Sequence, residues 1–300
     1  MEINPINKTY FNLAGIIPVA GQPLDFDFPW HDCLQPIGKN YLAVERSVLE
    51  CAAAGCDSIW VVCPKDMQPL IRHRLGDYII DPYVYYRAYK FAKYPLAKEI
   101  GIYYVCTHPR DYNRRESLPW SIITGANQAY WVGRKLSRWT CPDKYFVSFP
   151  YGVISSYYLS DCRAKIRNEK PFYATVEGKS YRDGLYLPFT FDGEDFIKSR
   201  AKFRKKETRK YLSDGIQRVK SSEAYTGRYF THDYVFDKVK CSDANTLEMP
   251  WYYDISSWDG LRKWLASDQT LDRPNDLIFS YNEWNPIGGY GEENNSEEAP

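Results

Sequence analysis

"NYLAVERSVLECAAAGCDSIWVVCP", residues 40–64, carries the reading of the fold. Asn40 suits a helix cap, and Tyr41, Val44, Val48 and Cys51 follow at steps of three and four, on one helical face. Gly55 stands where helices end in a left-handed residue. "SIWVVCP" (58–64) is a short apolar run closed by Pro64, the pattern of a buried strand. Upstream, "GIIPVAG" (15–21) is a second such run. Strand, helix and strand with short joints predict a βαβ unit with a right-handed crossover.

The alternation continues. "MQPLIRHRL" (67–75) predicts a short helix, "GIYYVC" (101–106) a strand, "SIITGANQAYWVGRKL" (121–136) a helix and "KYFVSFP" (144–150) a strand. Residues 10–160 therefore predict a mostly parallel sheet covered on both faces. Beyond them, "PFYATVEG" (171–178) reads as a strand, and "YRDGLYLPFTFDGEDFI" (181–197) as strands running into a helix. The expected organisation is an α/β half over 1–160, a mixed α/β portion over 161–285 completing the same domain, and an acidic flexible tail over 286–300. Residues 77–98 interrupt the first half with six tyrosines, read as an aromatic lid or, in the other reading, as a base-stacking surface. Residues 197–220 hold ten Lys or Arg against two acids, a solvated helical face or a surface for phosphates or acids.

The composition narrows the classes. Three hundred residues, 44% hydrophobic and 26% charged, describe an ordinary soluble globular chain. Its 27 Tyr, 14 Phe and nine Trp are in excess and suggest aromatic contacts in a core or an interface. A net charge of +1 gives no bulk field for nucleic acid or an anionic membrane, so neither is an expected partner. No run approaches the ~18 apolar residues of a membrane span, and the first residues show no secretory pattern. None of the eight cysteines forms a CxxC, and several sit in apolar runs, so they read as buried thiols of a reducing, cytoplasmic compartment. No nucleophile elbow or zinc-protease helix occurs, and His73, His108 and His232 are isolated.

"GIIPVAG" followed by "LQPIGKNYLAVERSVLECAAAGCDSIWVV" (34–62) resembles the N-terminal half of the sugar-phosphate nucleotidyltransferases, members of the GT-A-like superfamily. Leu34, Pro36, Ile37, Gly38 and Lys39 match that family's turn before its first helix. "TGANQAYW" (124–131) stands where the family starts a helix near the nucleotide. "YFVSFPYGVI" (145–154) stands where a family strand ends in Gly-Asp, and "WYYDISSWDGLRKWLAS" (251–267) resembles its late Trp-x-Asp-Ile-x-Thr segment and helix. The resemblance implies an α/β fold with a three-layer, mostly parallel sheet. It implies a nucleotide-binding-like half over 1–160, with a nucleotide or sugar nucleotide at the sheet edge around Gly21, Lys39, Gly125 and Gly152. It also implies a Mg²⁺ or Mn²⁺ for which Asp254 is the second carboxylate.

The departures bear on chemistry. The family's loop reads Gly-x-Gly-Thr-Arg; here "AGQPLDFDFPWHD" (20–32) keeps only Gly21, and Pro23 removes an N–H donor. No Arg or Lys lies between Gly21 and Lys39, and the family's loop Lys falls on Asp32. Tyr151 and Gly152 stand in place of Gly-Asp. Phosphoryl chemistry needs donors and cations where charge builds, and bare carboxylates oppose it. Asp25 and Asp27, spaced D-x-D near His31 and Asp32, offer a replacement metal site together with Asp254. The competing reading is a packed loop of Phe26, Phe28 and Trp30 with solvated acids. The expectation is a divergent nucleotidyltransferase-like protein with weak or altered metal-dependent transfer, its catalytic and metal residues being Asp254, Asp25 and Asp27. The alternative is a catalytically inactive module of the same fold. It would have a structural or protein-interaction role, in an assembly such as a bacteriophage or as a homo-oligomer joined through aromatic surfaces.

Overall fold

The computed structural model describes residues 11–21, 30–84, 98–111, 115, 117–137, 140–203 and 230–274. The first half runs β1 (Leu13–Pro18), a small hairpin β2 (Pro36–Gly38) and β3 (Tyr41–Leu42), α1 (Ala43–Ala54), β4 (Ser58–Val62), α2 (Gln68–Leu75), β5 (Tyr78–Ile80) and β6 (Glu99–Val105). Then come α3 (Leu118–Leu136), β7 (Lys144–Val147), β8 (Gly152–Val153), and two short helices, α4 (Tyr157–Asp161) and α5 (Arg163–Ile166). The remainder holds β9 (Phe172–Thr175), β10 (Phe189–Asp192), α6 (Gly193–Lys202), α7 (His232–Val235), β11 (Asn245–Glu248), β12 (Tyr253–Asp254) and α8 (Trp258–Leu265).

These strands build an α/β fold on one eight-stranded sheet, ordered β11-β9-β10-β7-β1-β4-β6-β5. β7, β1, β4 and β6 are mutually parallel, while β10 and β5 run antiparallel to β7 and β6. β9, β10 and β11 extend the sheet that the first half begins.

The centre is dry because both faces of β1 are covered. All six residues of β1 are buried. Side chains alternate across a strand, so Gly15 and Ile16 face opposite layers. A Cβ on Gly15 would meet Cys51 Sγ of α1 at 2.8 Å; a Cβ on Gly125 of α3 would meet Val62 at 2.8 Å and Ile16 at 2.9 Å. The two helices therefore sandwich β1 from opposite sides, each pressed close at one glycine. α1 carries Val44, Val48 and Cys51 into the core and closes at Gly55, left-handed at φ +87°. Its start departs from expectation. Asn40 sits two residues too early, with φ 53°, and the N-cap is Leu42, whose N–H is taken by Glu45 at 2.8 Å.

α3 also starts earlier than expected, at Leu118, with Pro119 in its first turn. "TGANQAYW" is thus the interior of the helix, and Gly125 is a helix-to-sheet contact point. The six-tyrosine stretch enters through β5, which closes one edge of the sheet, and Tyr83 lies 5.0 Å beneath the Arg163 guanidinium. Residues 85–97 of that stretch, 204–220 of the basic segment and the 286–300 tail lie outside the described residues. No disulfide joins any of the eight cysteines. Among the described residues no helix is long and apolar enough to cross a membrane.

Candidate functional site

From β1 the chain goes through α1 to β4 on one side and later returns through α3 to β7 on the other. The strand order reverses at β1, and sheets of this kind leave a crevice beyond the carboxyl ends of their strands at such a point. The residues that rim it are Val19–Gly21 after β1, Cys63–Lys65 after β4, and Ser148–Gly152 after β7.

Gly21 turns the chain after β1 at φ +79°, and a Cβ there would lie 2.6 Å from the Ser117 backbone. Only glycine serves both demands. The contact seats the turn on the first turn of α3, and the Ser121 hydroxyl adds a hydrogen bond to the Ala20 carbonyl. Arg115 stands three residues before the first residue of that helix, its guanidinium 4.8 Å over the Trp120 ring. It is a cation just ahead of α3 that sequence reading passed over; "RRES" (114–117) ahead of a helix start was the available signal.

The start of α1, elsewhere a natural anion seat, is filled by the chain itself. Glu45 is fully buried, and Arg74 Nε and Arg273 Nη2 pair with its Oε1 at 3.0 Å and 3.3 Å. Lys39 is exposed at the tip of the β2–β3 hairpin. That hairpin packs with β8, β12 and α8 around Ile37, Tyr41, Val153, Ile255, Leu261 and Trp264, a second small core capping this end of the sheet. Trp264 Nε1 donates to the Ile37 carbonyl at 3.0 Å, and a Cβ on Gly38 would meet the Leu271 carbonyl at 2.5 Å.

β8 and β12 bring two of the expected site residues together. Gly152 and Asp254 are register partners in this antiparallel pair. Asp254 is exposed, and its Oδ1 accepts the Ser256 N–H at 2.9 Å. Gly152 has no room for a side chain: a Cβ would overlap the Tyr186 carbonyl oxygen and lie 2.8 Å from Tyr252 Cε2. Behind the pair, Tyr151 is buried and its hydroxyl donates to the Val19 carbonyl at 3.1 Å. Burial first, then the charge of Asp32, pushes the Tyr151 phenol well up, so it stays a neutral donor. His232 is a core histidine, packed on Phe149 and Tyr186 with Nε2 3.1 Å from the Leu185 carbonyl. Burial lowers its pKa against the opposing pull of the Leu185 hydrogen bond and the charges of Asp233 and Asp254.

Beneath the rim runs a buried ionic link. Arg46 and Glu50 of α1, each 1% exposed, pair with one another. Arg46 Nη2 donates to the Phe149 carbonyl at 2.7 Å, and the Ser148 hydroxyl donates to Glu50 at 2.5 Å. Burial lifts the Glu50 carboxyl to about 6, with Arg46 and Ser148 pulling the other way. The link ties α1 to the segment after β7 that positions Tyr151 and Gly152.

The acidic loop is only partly covered. Asp25 and Asp27 lie outside the described residues. Asp32 is described and corrects the expectation of solvated acids: it has no exposed surface. A divalent cation asks for six or more oxygen ligands. Among the described residues no three His, Cys, Asp or Glu come together as a metal site, and Asp254 faces a glycine. The described residues do not fit the implied Mg²⁺ or Mn²⁺.

No family model matches the sequence, and no curated protein matches it. Solved structures share part of its chain path. A candidate glucose-1-phosphate thymidylyltransferase from Bacillus anthracis, in complex with sucrose, is 12% identical at a TM-score of 0.49, covering 87% of this chain and 98% of that one. UDP-glucose pyrophosphorylase complexed with UDP-glucose is 11% identical at a TM-score of 0.45, covering 85% and 97%. A 4-diphosphocytidyl-2C-methyl-D-erythritol synthase from Anaerococcus prevotii is 12% identical at a TM-score of 0.41, covering 85% and 95%. Likenesses this low carry no weight in the reading of the site.

Proposed function

We propose that this chain is a divergent nucleotidyltransferase-like protein that binds a nucleotide or sugar nucleotide at the carboxyl edge of its sheet, with transfer chemistry weakened or altered. The observation that carries the reading is the pairing of Gly152 with Asp254. Two positions that the sequence resemblance assigns to a pair of carboxylates are adjacent at the switch point, and one of them is a glycine with no space for an acid. The scaffold supports binding through the Gly21 turn, the start of α3 and Arg115. It lacks the cationic loop that would steady charge on a transferring phosphoryl group. Lys39 and Gly152 remain contact positions of this reading, while Gly125 serves it indirectly by letting α3 approach β1 and β4. Metal-dependent turnover would require Asp25 or Asp27 to join Asp254.

Calorimetry with a panel of nucleoside diphosphates, triphosphates and sugar nucleotides, with and without Mg²⁺ or Mn²⁺, tests it. The expected result is micromolar binding, about −8 kcal/mol, of at least one of these nucleotides. Silence across the panel, with a stable assembly on size exclusion, rejects it in favour of the inactive interaction module. That second reading draws on exposed aromatics among the described residues: Trp131, Tyr157 and Trp258, exposed at 45%, 69% and 46%.

A further inference from the structure

α1 ends in a turn that brings two thiols together. The Cys56 N–H donates to the Cys51 carbonyl at 3.0 Å, the Gly55 N–H donates to the Ala52 carbonyl at 3.0 Å, and Gly55 is left-handed at φ +87°. This nested pair of bonds is a Schellman motif, which sets the residue three before the last helical position against the residue two beyond it. Apolar side chains usually meet there; here both are cysteines, Cys51 and Cys56. Each has 0% exposure. Their sulfurs converge over Gly15 of β1: a Cβ placed there would lie 2.8 Å from Cys51 Sγ and 3.1 Å from Cys56 Sγ. Burial first, and then a hydrogen bond with the Cys56 thiol, pushes the Cys51 thiol well up. From outside, Arg167 donates to the Gly55 carbonyl, and a Cβ on Gly55 would meet Arg163 Nε at 2.6 Å, so the turn is clamped.

A disulfide needs its two backbones close and its side chains pointing together. The Cys56-to-Cys51 backbone hydrogen bond supplies the first, and the shared seat on Gly15 supplies the second. The bond would replace an existing sulfur contact, so no new space has to open. We infer that Cys51 and Cys56 are a modification site that closes to an intramolecular disulfide, stapling the end of α1 to the turn before β4. The oxidant is a low-molecular-weight disulfide, glutathione disulfide being the simplest. When the turn opens locally, one cysteine thiolate attacks a glutathione sulfur, forming a mixed disulfide and expelling one glutathione thiolate. The second cysteine thiolate attacks the protein sulfur of that mixed disulfide and expels the other. Two protein thiols are oxidised, one glutathione disulfide is reduced to two glutathiones, and the two thiol protons end on them. With both sulfurs buried and the Cys51 thiol held protonated, the packed turn exchanges slowly in either state. The inference is independent of the nucleotide reading.

The test holds the full chain with glutathione disulfide in urea just below its unfolding transition, then alkylates the remaining thiols. Cleavage after Glu50 and before Asp57 releases residues 51–56, apart from Cys63. Mass spectrometry should find this fragment in most chains without alkyl groups and two hydrogens lighter than the dithiol. Once urea is removed, the closed chain should melt at least about 3 °C above the reduced one. Dithiothreitol should reopen the bond at least about a hundredfold more slowly in the folded chain than in the unfolded one. Cys56→Ala should leave Cys51 either alkylated or carrying glutathione, and should show no rise in melting temperature on oxidation. The mapping on the unsubstituted chain decides the matter even if that variant does not fold. A fragment alkylated at both sulfurs overturns the inference, as does a bond from either cysteine to Cys63 or any other partner. Closure that lowers the melting temperature also overturns it, because the bond would then distort the turn instead of preserving its contact.

Discussion

Replacing Arg46 by Met should destabilise the protein by roughly 3–5 kcal/mol at pH 7.5, the usual cost of stranding one partner of a buried ion pair. Arg46 fills that role completely, being 1% exposed and bonded to Glu50 and the Phe149 carbonyl. The loss should depend on pH in a definite direction. The native Glu50 carboxyl sits at about 6, above an unfolded value of about 4.3. Between those values the native state binds the extra proton, so this group's contribution to stability is greatest below pH ~4 and declines as pH rises through ~6. Removing Arg46 deletes the charge that favours the ionised form, which pushes the carboxyl higher still. The penalty should therefore be large at pH 7.5 and shrink near pH 5, where Glu50 holds its proton. Arg46→Met combined with Glu50→Leu should recover most of the loss, because no buried charge is left. Urea unfolding of the three proteins at both pH values reads this out. A single-variant loss below about 1 kcal/mol at both would show that the pair is not the link between α1 and the segment after β7.

The second large effect concerns Gly152. Gly152→Asp would put an acid opposite Asp254, and it should fail to create a metal site. The new Cβ would overlap the Tyr186 carbonyl oxygen and crowd Tyr252. We expect a destabilisation of roughly 2–3 kcal/mol from overpacking and no gain in Mn²⁺ affinity. Gly152→Ala, which adds only the Cβ, should already lower the melting temperature. A folded Gly152→Asp protein that binds Mn²⁺ micromolar through Asp254 would mean that packing does not forbid a metal site at this position.

Much of the fold was legible because burial leaves a period. β1, α1 and β4 came from uninterrupted apolar runs and from Val44, Val48 and Cys51 at helical spacing, with Gly55 as a stop. The helix after Asp254 was expected from the resemblance over residues 251–267, and α8 stands there; the short strand β12 before it was not expected. Helix starts were less legible. Asn40 looked like a cap, yet the side chain that meets the first free N–H of α1 is Glu45. For α3 the better signal was Ser117 and Pro119, which precede the quoted run. The site was the least legible part, because its key facts are burial states of charged groups. Arg46 and Glu50 at i and i+4 carry no local mark of burial, and Asp32 between His31 and Cys33 reads as a loop acid. Both are buried only because segments distant in sequence close over them, and no local pattern records that. The closeness of Gly152 and Asp254 is likewise a property of strand pairing across a hundred residues of chain.

The central claim is that the carboxyl edge of this sheet still holds a nucleotide but no longer supports efficient transfer. Pyrophosphate release tests it most directly, measured on the purified full chain with nucleoside triphosphates, sugar 1-phosphates and Mg²⁺. The expected rate lies at least about a thousandfold below the ~10 s⁻¹ of a typical enzyme. Sustained release near that typical rate, with formation of the activated sugar, would contradict the account.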